Sequence, residues 1–137
     1  MGLERRISVQ DLSKCVSAIL SSLGPEAESA AQISSNNAIY AAAVRDVWKS
    51  ESAVRLILDH TNAFYVRKDD RPRKGPDKDK PYIVCEICMD EPLVRSEMDA
   101  RREFIALRLR DRGLSFHELR IIPARRGMRQ RHPFRDA

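Results

Sequence analysis

The sequence of 137 residues is poor in the residues that mark most specialised protein classes. Its five glycines are scattered and form no phosphate-binding loop, and its three cysteines, an odd number, make no disulfide framework. No apolar run approaches the roughly 18–20 residues needed to cross a bilayer. The N-terminus has no apolar segment of the secretory kind. These absences argue against an integral membrane or secreted protein and predict a cytoplasmic one without a cofactor.

Catalytic and metal-binding signatures are also missing. Cys85 and Cys88 have a CxxC spacing but fall within an apolar predicted strand, where residues three apart point to opposite faces. A four-ligand zinc site would have to be completed from the three histidines, which show no paired spacing: His60, His117 and His132. Asp90 and Glu91 are better explained as helix caps than as acid–base groups. We therefore expect neither an enzyme nor a metal site.

Positive charge is present in excess, and it is unevenly distributed. The formal net charge is +5. Residues 101–137 contain eleven arginines against four acidic residues, and residues 67–80 contain seven basic against four acidic residues. The rest of the chain is net acidic. This asymmetry favours a polyanion partner, with a purely solubilising role for the charge as the alternative.

Apolar spacing and turn residues predict the order of elements. A first helix begins near Ser8 and ends at Gly24, and a second covers about 25–50 with Trp48 as a core anchor. Residues 54–58 suit either a short helix or a strand. The remaining predicted elements are strands over about 61–67, 81–89 and 116–122, and one helix over 91–113.

This order predicts an α+β fold with a small three-stranded sheet and helices on one face. A β-hairpin, a crossover helix and a third strand make the sheet, as in a KH-like domain, and an N-terminal helical pair precedes it. We expect one domain over 1–122, with a helical part at 1–50 and the sheet part at 54–122. Within it, residues 67–81 form a flexible basic loop that can bury nothing, and residues 123–137 follow as a disordered basic tail.

Several short motifs between residues 38 and 122 resemble the DciA-type family of bacterial helicase-associated proteins. They are Val47-Trp48 at a helix end, His60-Thr61 before a hairpin, the strand 82–89, Arg95-Ser96-Glu97 in a long helix, and a closing strand 118–122. The resemblance implies a KH-like domain that binds single-stranded DNA and assists the replicative helicase in bacterial DNA replication, without catalysis. The loop at 67–81 is longer than the tight turn of that family.

Two basic segments supply the candidate contacts to single-stranded DNA or RNA. In the tail these are Arg125, Arg126, Arg129, Arg131 and Arg135, and in the loop they are Arg73, Lys74, Lys78 and Lys80. Phe134 is a candidate for stacking on a base. Arg101, Arg108 and Arg112 form either a basic ridge or a solvated helix face with ion pairs. The alternative function is a protein-interaction adaptor with no nucleic-acid role.

Overall fold

A computed structural model describes residues 25–135 of the chain, so the predicted first helix lies outside the described residues. Contacts between Cα atoms divide the chain into two compact units, residues 1–35 and 36–137. Helix α1, Pro25–Val47, begins in the first unit and ends in the second. The sheet and all the contacts discussed below belong to the second unit, which extends beyond the predicted boundary at residue 122.

Residues 54–58, for which the sequence allowed either a short helix or a strand, belong to helix α2, Glu51–Asp59. It begins at Ser50 because the hydroxyl of that residue accepts a hydrogen bond from the backbone N–H of Ala53, at 3.1 Å. Its buried side chains, Val54, Ile57 and Leu58, lie at helical spacing. The segment is therefore an amphipathic helix, and Trp48 just before it is buried in the core, as predicted.

Three strands form one sheet in the order β1-β2-β3: Thr61–Asp69, Tyr82–Met89 and Glu118–Pro123. Strands β1 and β2 pair antiparallel as a hairpin, and β2 pairs parallel with β3. All three predicted strands are confirmed. β1 continues two residues further than expected, and β3 begins two residues later. A parallel pair requires a crossover connection, which the segment between β2 and β3 supplies.

The crossover contains two helices rather than the single helix predicted over 91–113. These are α3, Pro92–Ala100, and α4, Arg102–Asp111. The apolar line through Met98 and Ile105 has no apolar member in the turn between them, where Arg101 and Arg102 stand. The Arg102 guanidinium instead donates to the carbonyl of Leu119 at 2.5 Å. The helix breaks at Arg101 because that turn makes a polar contact with β3 in place of an apolar one.

The helices pack on one face of the sheet, which confirms the predicted α+β fold with a small three-stranded sheet. One core cluster joins the strand residues Phe64, Cys85, Ile87, Met89 and Leu119 to helix residues that include Tyr40, Val44, Ile57, Met98, Ile105 and Leu109. Side chains alternate along a strand, so their neighbours point the other way. We call that side the open face, although three of its central side chains, Val84, Glu86 and Cys88, are buried. It carries Tyr65, Arg67, Tyr82, Val84, Glu86, Cys88, Glu118, Arg120 and Ile122. None of these residues belongs to the core cluster.

The expectation of a disordered tail is wrong for residues 124–135, which we call the strap. The backbone N–H of Ala124 donates to the Met89 carbonyl at 3.0 Å, and Phe134 is only 2% exposed. The ring centroid of Phe134 lies 5.0 Å from that of Tyr40. Because its ring is buried in the core, Phe134 is not the base-stacking residue that we expected.

Candidate nucleic-acid interface

The strap has no helix or strand of its own, and side chains from elsewhere in the fold hold its backbone. The Asn62 amide nitrogen donates to the carbonyls of Met128 and Arg131, at 3.2 and 2.9 Å. The Arg55 guanidinium donates to the Phe134 carbonyl at 2.8 Å. His132 Nδ1 donates to the Asp59 carbonyl at 3.1 Å. These contacts lie near the beginning of β1, so they fix the strap at that end of the sheet.

Asp90 is the charged centre of this attachment. Its carboxylate accepts hydrogen bonds from His60 Nδ1 at 2.9 Å and from the Asn62 amide at 3.2 Å. His132 Nδ1 lies 4.0 Å from the same carboxylate. Burial raises the pKa of Asp90, but the hydrogen bonds and the nearby histidines lower it by more, so the pKa lies below its ordinary value. Asp90 is therefore a carboxylate at neutral pH.

The predicted tail arginines all lie on the strap and are exposed, and Arg129 Nε also donates to the Ala124 carbonyl at 3.5 Å. Among the described residues, none of them lies within ion-pair distance of a carboxylate. The five exposed side chains are Arg125, Arg126, Arg129, Arg131 and Arg135. The strap is therefore an ordered segment whose positive charge has no neutralising partner in the part of the chain that the structure describes.

Three arginines in or next to the crossover helices, Arg101, Arg108 and Arg112, differ from those of the strap, because each of the three has a carboxylate partner. The N···O distances are 3.7 Å for Arg101 to Glu97, 3.6 Å for Arg108 to Asp111, and 2.6 Å for Arg112 to Asp46. The hydrogen bond from Arg112 lowers the pKa of the Asp46 carboxyl. Of the two interpretations of these arginines, the solvated helix face with ion pairs is the one that the structure supports.

The loop between β1 and β2 carries the second set of predicted residues, but only part of its charge is free. It contains a 3₁₀ turn, Gly75–Asp77, in which Gly75 has a φ of 76°, a conformation that favours glycine. Asp77 pairs with Arg73 and with Lys80, at 3.8 and 3.4 Å. Lys74 and Lys78 are exposed and have no ion pair among the described residues.

The Arg73 side chain also corrects the expectation that the loop buries nothing, since it is only 18% exposed. Its guanidinium lies 5.7 Å from the ring centroid of Tyr82 and donates to the carbonyl of Pro81 at 3.4 Å. The loop therefore folds back toward the beginning of β2.

The loop and the strap lie at opposite ends of the hairpin. The loop joins Asp69 to Tyr82, whereas the strap contacts Asn62 and Met89, at the other end of the same two strands. At about 3.3 Å per residue, the eight steps from Thr61 to Asp69 separate the two ends by about 26 Å. The open face of the sheet spans this interval.

An aromatic and guanidinium cluster that the sequence did not predict lies at the loop end of the open face. The Tyr82 ring is stacked on His117, with centroids 5.0 Å apart and an angle of 19° between the ring planes. The guanidinium carbon of Arg71 lies 4.5 Å from the Tyr82 centroid. Strand alternation places Tyr82 on the face opposite Ile87, and this could be predicted from the sequence. The stacking of Tyr82 on His117 depends on the register between β2 and β3, which could not be predicted from the sequence.

The two strand cysteines are buried on opposite faces of the sheet, in agreement with the geometric argument against a CxxC site. Burial raises the pKa of the Cys85 thiol to about 12, and it also raises the pKa of Cys88. Neither is a thiolate at neutral pH, and only a thiolate is a nucleophile or a metal ligand. Within residues 25–135, no three side chains of the metal-ligating types are grouped closely enough to hold an ion.

An apolar groove of about 320 Å³ lies between α2 and α3. Trp48, Leu56 and Leu93 line it, and Leu93 is 80% exposed. The Trp48 Nε1–H donates to Glu97 Oε1 at 3.2 Å across one side of the groove. Exposed apolar surface of this kind suits a protein partner, so this is the place where the adaptor alternative would find its contact.

The comparisons with known proteins found no match to this chain among family models, curated proteins or solved structures. No helix in the described part of the chain is long and apolar enough to span a membrane. KH domains grip nucleic acid with a GXXG loop. The five glycines of this sequence include no pair three residues apart, so a contact to nucleic acid would need other residues. The strap, the loop and the open face are the surfaces that offer them.

Proposed function

We propose that the protein is a non-enzymatic accessory protein that binds single-stranded DNA or RNA, with the strap as its principal contact. One observation carries the proposal: five exposed arginines that have no carboxylate partner within residues 25–135 lie on an ordered segment. Arginine suits this role because its planar guanidinium can donate two parallel hydrogen bonds to a phosphate. Arginines already paired with carboxylates, such as Arg112 with Asp46, are less available to a polyanion.

The attachment of the strap strengthens this argument. A disordered arginine tail would lose backbone entropy on binding, whereas a segment already held by Asn62, Arg55 and His132 has lost that entropy on folding. The same contacts give His132 a structural role, because its Nδ1–H is engaged with the Asp59 carbonyl. In the loop, Lys74 and Lys78 supply a second region of free positive charge.

The test is a salt series with a labelled 15-nucleotide oligo(dT), followed by fluorescence anisotropy on the full chain. The variant Arg125→Gln/Arg126→Gln/Arg131→Gln removes three strap charges. For single strands each phosphate contact contributes about 0.7 to the slope of log affinity against log salt concentration. We expect the triple variant to bind more weakly and to lose up to about 2 from that slope.

A charge-matched control is Lys49→Gln/Arg101→Gln/Arg108→Gln, which removes three exposed basic residues away from the strap. It should leave affinity and slope nearly unchanged. An equal loss in both variants would mean that net charge, and not the strap, determines binding. A wild-type protein that binds no oligonucleotide at 50 mM salt would refute the proposal. Truncation at residue 122 is not a suitable test, because it would remove Phe134 from the core.

Assistance to a bacterial replicative helicase is the finer part of the proposal, and it rests on the motifs shared with the DciA-type family. Support from the fold is limited to the α+β arrangement of the second unit. A pull-down of purified replicative helicase by the full chain tests this part separately from oligonucleotide binding.

A further inference from the structure

Tyr82 stands at the first position of β2, where the open face meets the loop. Its ring is stacked on His117 and carries the guanidinium of Arg71 at 4.5 Å from its centroid. We propose that Tyr82, His117 and Arg71 form a base-stacking platform, so that the loop end of the sheet reads unpaired bases of a single strand. This inference rests on the proposed function. It concerns the bases of the nucleic acid, whereas the strap arginines would contact the phosphates.

The platform is held in place before any ligand binds. Tyr82 pairs with Asp69 in the hairpin ladder. The backbone N–H of His117 donates to the Ile83 carbonyl at 2.8 Å, and the Ile83 N–H donates to His117 Nδ1 at 3.0 Å. Because Nδ1 accepts this hydrogen bond, the orientation of the imidazole ring is fixed against β2. Two fixed, nearly parallel aromatic rings are therefore stacked on one another.

The platform is also accessible, and the Arg71 side chain that covers the Tyr82 ring can move without disturbing the core. His117 is exposed, Tyr82 is partly exposed, and neither belongs to the core cluster. The Arg71 side chain is 47% exposed, and its one ion pair to another described residue, Glu118, is long at 3.8 Å. Arg71 can therefore leave the Tyr82 ring for a base or a phosphate. Guanidinium planes and aromatic rings are the surfaces on which single-stranded bases stack.

The surrounding charge favours nucleic acid as the occupant. Lys74 and Lys78 lie in the loop that folds back toward Tyr82, and both are exposed with no ion pair among the described residues. A base on the platform would bring its neighbouring phosphates close to this loop. In a duplex the bases are already paired and stacked on one another, so a platform of this kind selects single strands.

The experiment compares the wild-type full chain with the variants Tyr82→Leu and Tyr82→Phe. Each is titrated with oligo(dT) of 15 nucleotides and with a strand of the same length in which most of the internal positions are abasic. Stacking on one aromatic residue changes affinity by about 5- to 150-fold. We expect wild type and Tyr82→Phe to prefer oligo(dT) by at least about fivefold. We expect Tyr82→Leu to lose most of that preference with an unchanged salt slope, because stacking releases no counterions.

Tyr65→Leu is the matched control, since Tyr65 lies on the same face and takes part in no ring-stacking or cation–π contact among the described residues. It should keep the preference for bases. Arg71→Gln is a second probe that leaves the strand residues intact, and it should reduce the preference. If Tyr82→Leu and Arg71→Gln both keep the full preference, the inference is wrong.

Two outcomes with the wild-type protein separate the inference from the proposed function. Equal affinity for oligo(dT) and for the abasic strand would mean that phosphate contacts alone account for binding. The platform would then be refuted and the proposed function would stand. A wild-type protein that binds neither strand would refute both.

Discussion

Asp90 shows how neighbours distant in the chain decide the chemistry of a single residue. Its position before a predicted helix suggested a capping role, but the residue that caps α3 is Glu91, whose carboxylate accepts from the Leu93 N–H at 3.1 Å. Asp90 instead accepts hydrogen bonds from His60 and Asn62. A half-buried charge without such partners would be costly. The carboxylate thus helps to hold Asn62 toward the carbonyls of the strap.

Replacing Asp90 with Asn should destabilise the protein in a pH-dependent way. Folding lowers the pKa of the Asp90 carboxyl, so its ionised form stabilises the folded state. This stabilisation is fully present above the unfolded pKa of about 3.9, and it is lost as the pH falls through the lower pKa of the folded state. We expect Asp90→Asn to cost about 1–2 kcal/mol of unfolding free energy at pH 7. The difference from wild type should shrink below about pH 4, as measured by urea unfolding between pH 3 and pH 7.

Asp111→Asn provides the comparison for this pH series. Asp111 is paired with Arg108 at an exposed position, and such surface pairs contribute less than about 1 kcal/mol. The Asp111 variant should follow wild type at every pH. A constant difference between Asp90→Asn and wild type down to pH 3 would contradict the role of the Asp90 charge.

At the scale of elements, the strap is unusual because one buried ring anchors a segment with no regular structure. Phe134 packs on Tyr40, which itself stacks on Phe64 of β1 with centroids 4.9 Å apart. The Tyr40 hydroxyl shares a hydrogen bond of 2.8 Å with Thr61, and its burial raises the pKa of Tyr40. The strap therefore closes a core that α1 and β1 leave incomplete.

Replacing Phe134 with Ala should be strongly destabilising. Large-to-small changes at a buried phenylalanine cost about 3–5 kcal/mol, because apolar contacts are lost and a cavity remains. We expect a loss of this size in the unfolding free energy, measured in urea. Phe104→Ala is the control, since Phe104 is 60% exposed on α4, and it should change stability by less than about 0.5 kcal/mol. Similar losses in both variants would mean that Phe134 does not anchor the strap.

The elements that the sequence predicted are those with a repeating apolar pattern. The nearly continuous run of apolar residues over 82–89 correctly predicted the strand β2. The helical spacing of apolar residues correctly predicted the helix α1. The strap was missed because its structure depends on one ring and on backbone carbonyls that accept from Asn62, and neither gives a periodic signal. The break at Arg101 was missed because the partner of Arg102, the Leu119 carbonyl, lies in a later strand. The basic residues of the candidate site could be found from the sequence composition. The fold decides which of them pair with a carboxylate, as Arg73 and Lys80 do with Asp77.

For the whole molecule, the important feature is the separation of the strap arginines from Lys74 and Lys78, two sets of exposed basic residues with no ion pair among the described residues. Lys74 and Lys78 lie beyond one end of the hairpin, and the strap arginines lie at the other, with about 26 Å of strand between them. The paired charges of the open face, such as Arg67 with the buried Glu86, lie between these regions. A single-stranded nucleic acid that follows the direction of β1 would contact both basic regions. A shorter nucleic acid would contact only one of the two regions.

This arrangement predicts how affinity depends on oligonucleotide length. At about 3.4 Å per nucleotide a stacked strand needs about eight nucleotides to cover 26 Å. We expect the affinity for oligo(dT) to rise steeply up to about that length and only slowly beyond it, as measured by anisotropy with strands of 4 to 20 nucleotides. In Lys74→Gln/Lys78→Gln the steep rise should end at a shorter length. A wild-type affinity that grows only in proportion to length would contradict a path across the sheet.

The contact between Tyr40 and Phe134 also affects how the protein is made. The two rings are 94 positions apart (134 − 40), and Phe134 is the last core residue of the described chain to be synthesised. As the polypeptide grows from the ribosome, the apolar side chains of α1 and β1 are already present, yet the ring that covers them has not been added. Unfinished chains therefore expose this surface, which makes them substrates for chaperones or sites of aggregation. The strap arginines are presented on a fixed backbone only after translation has passed Phe134.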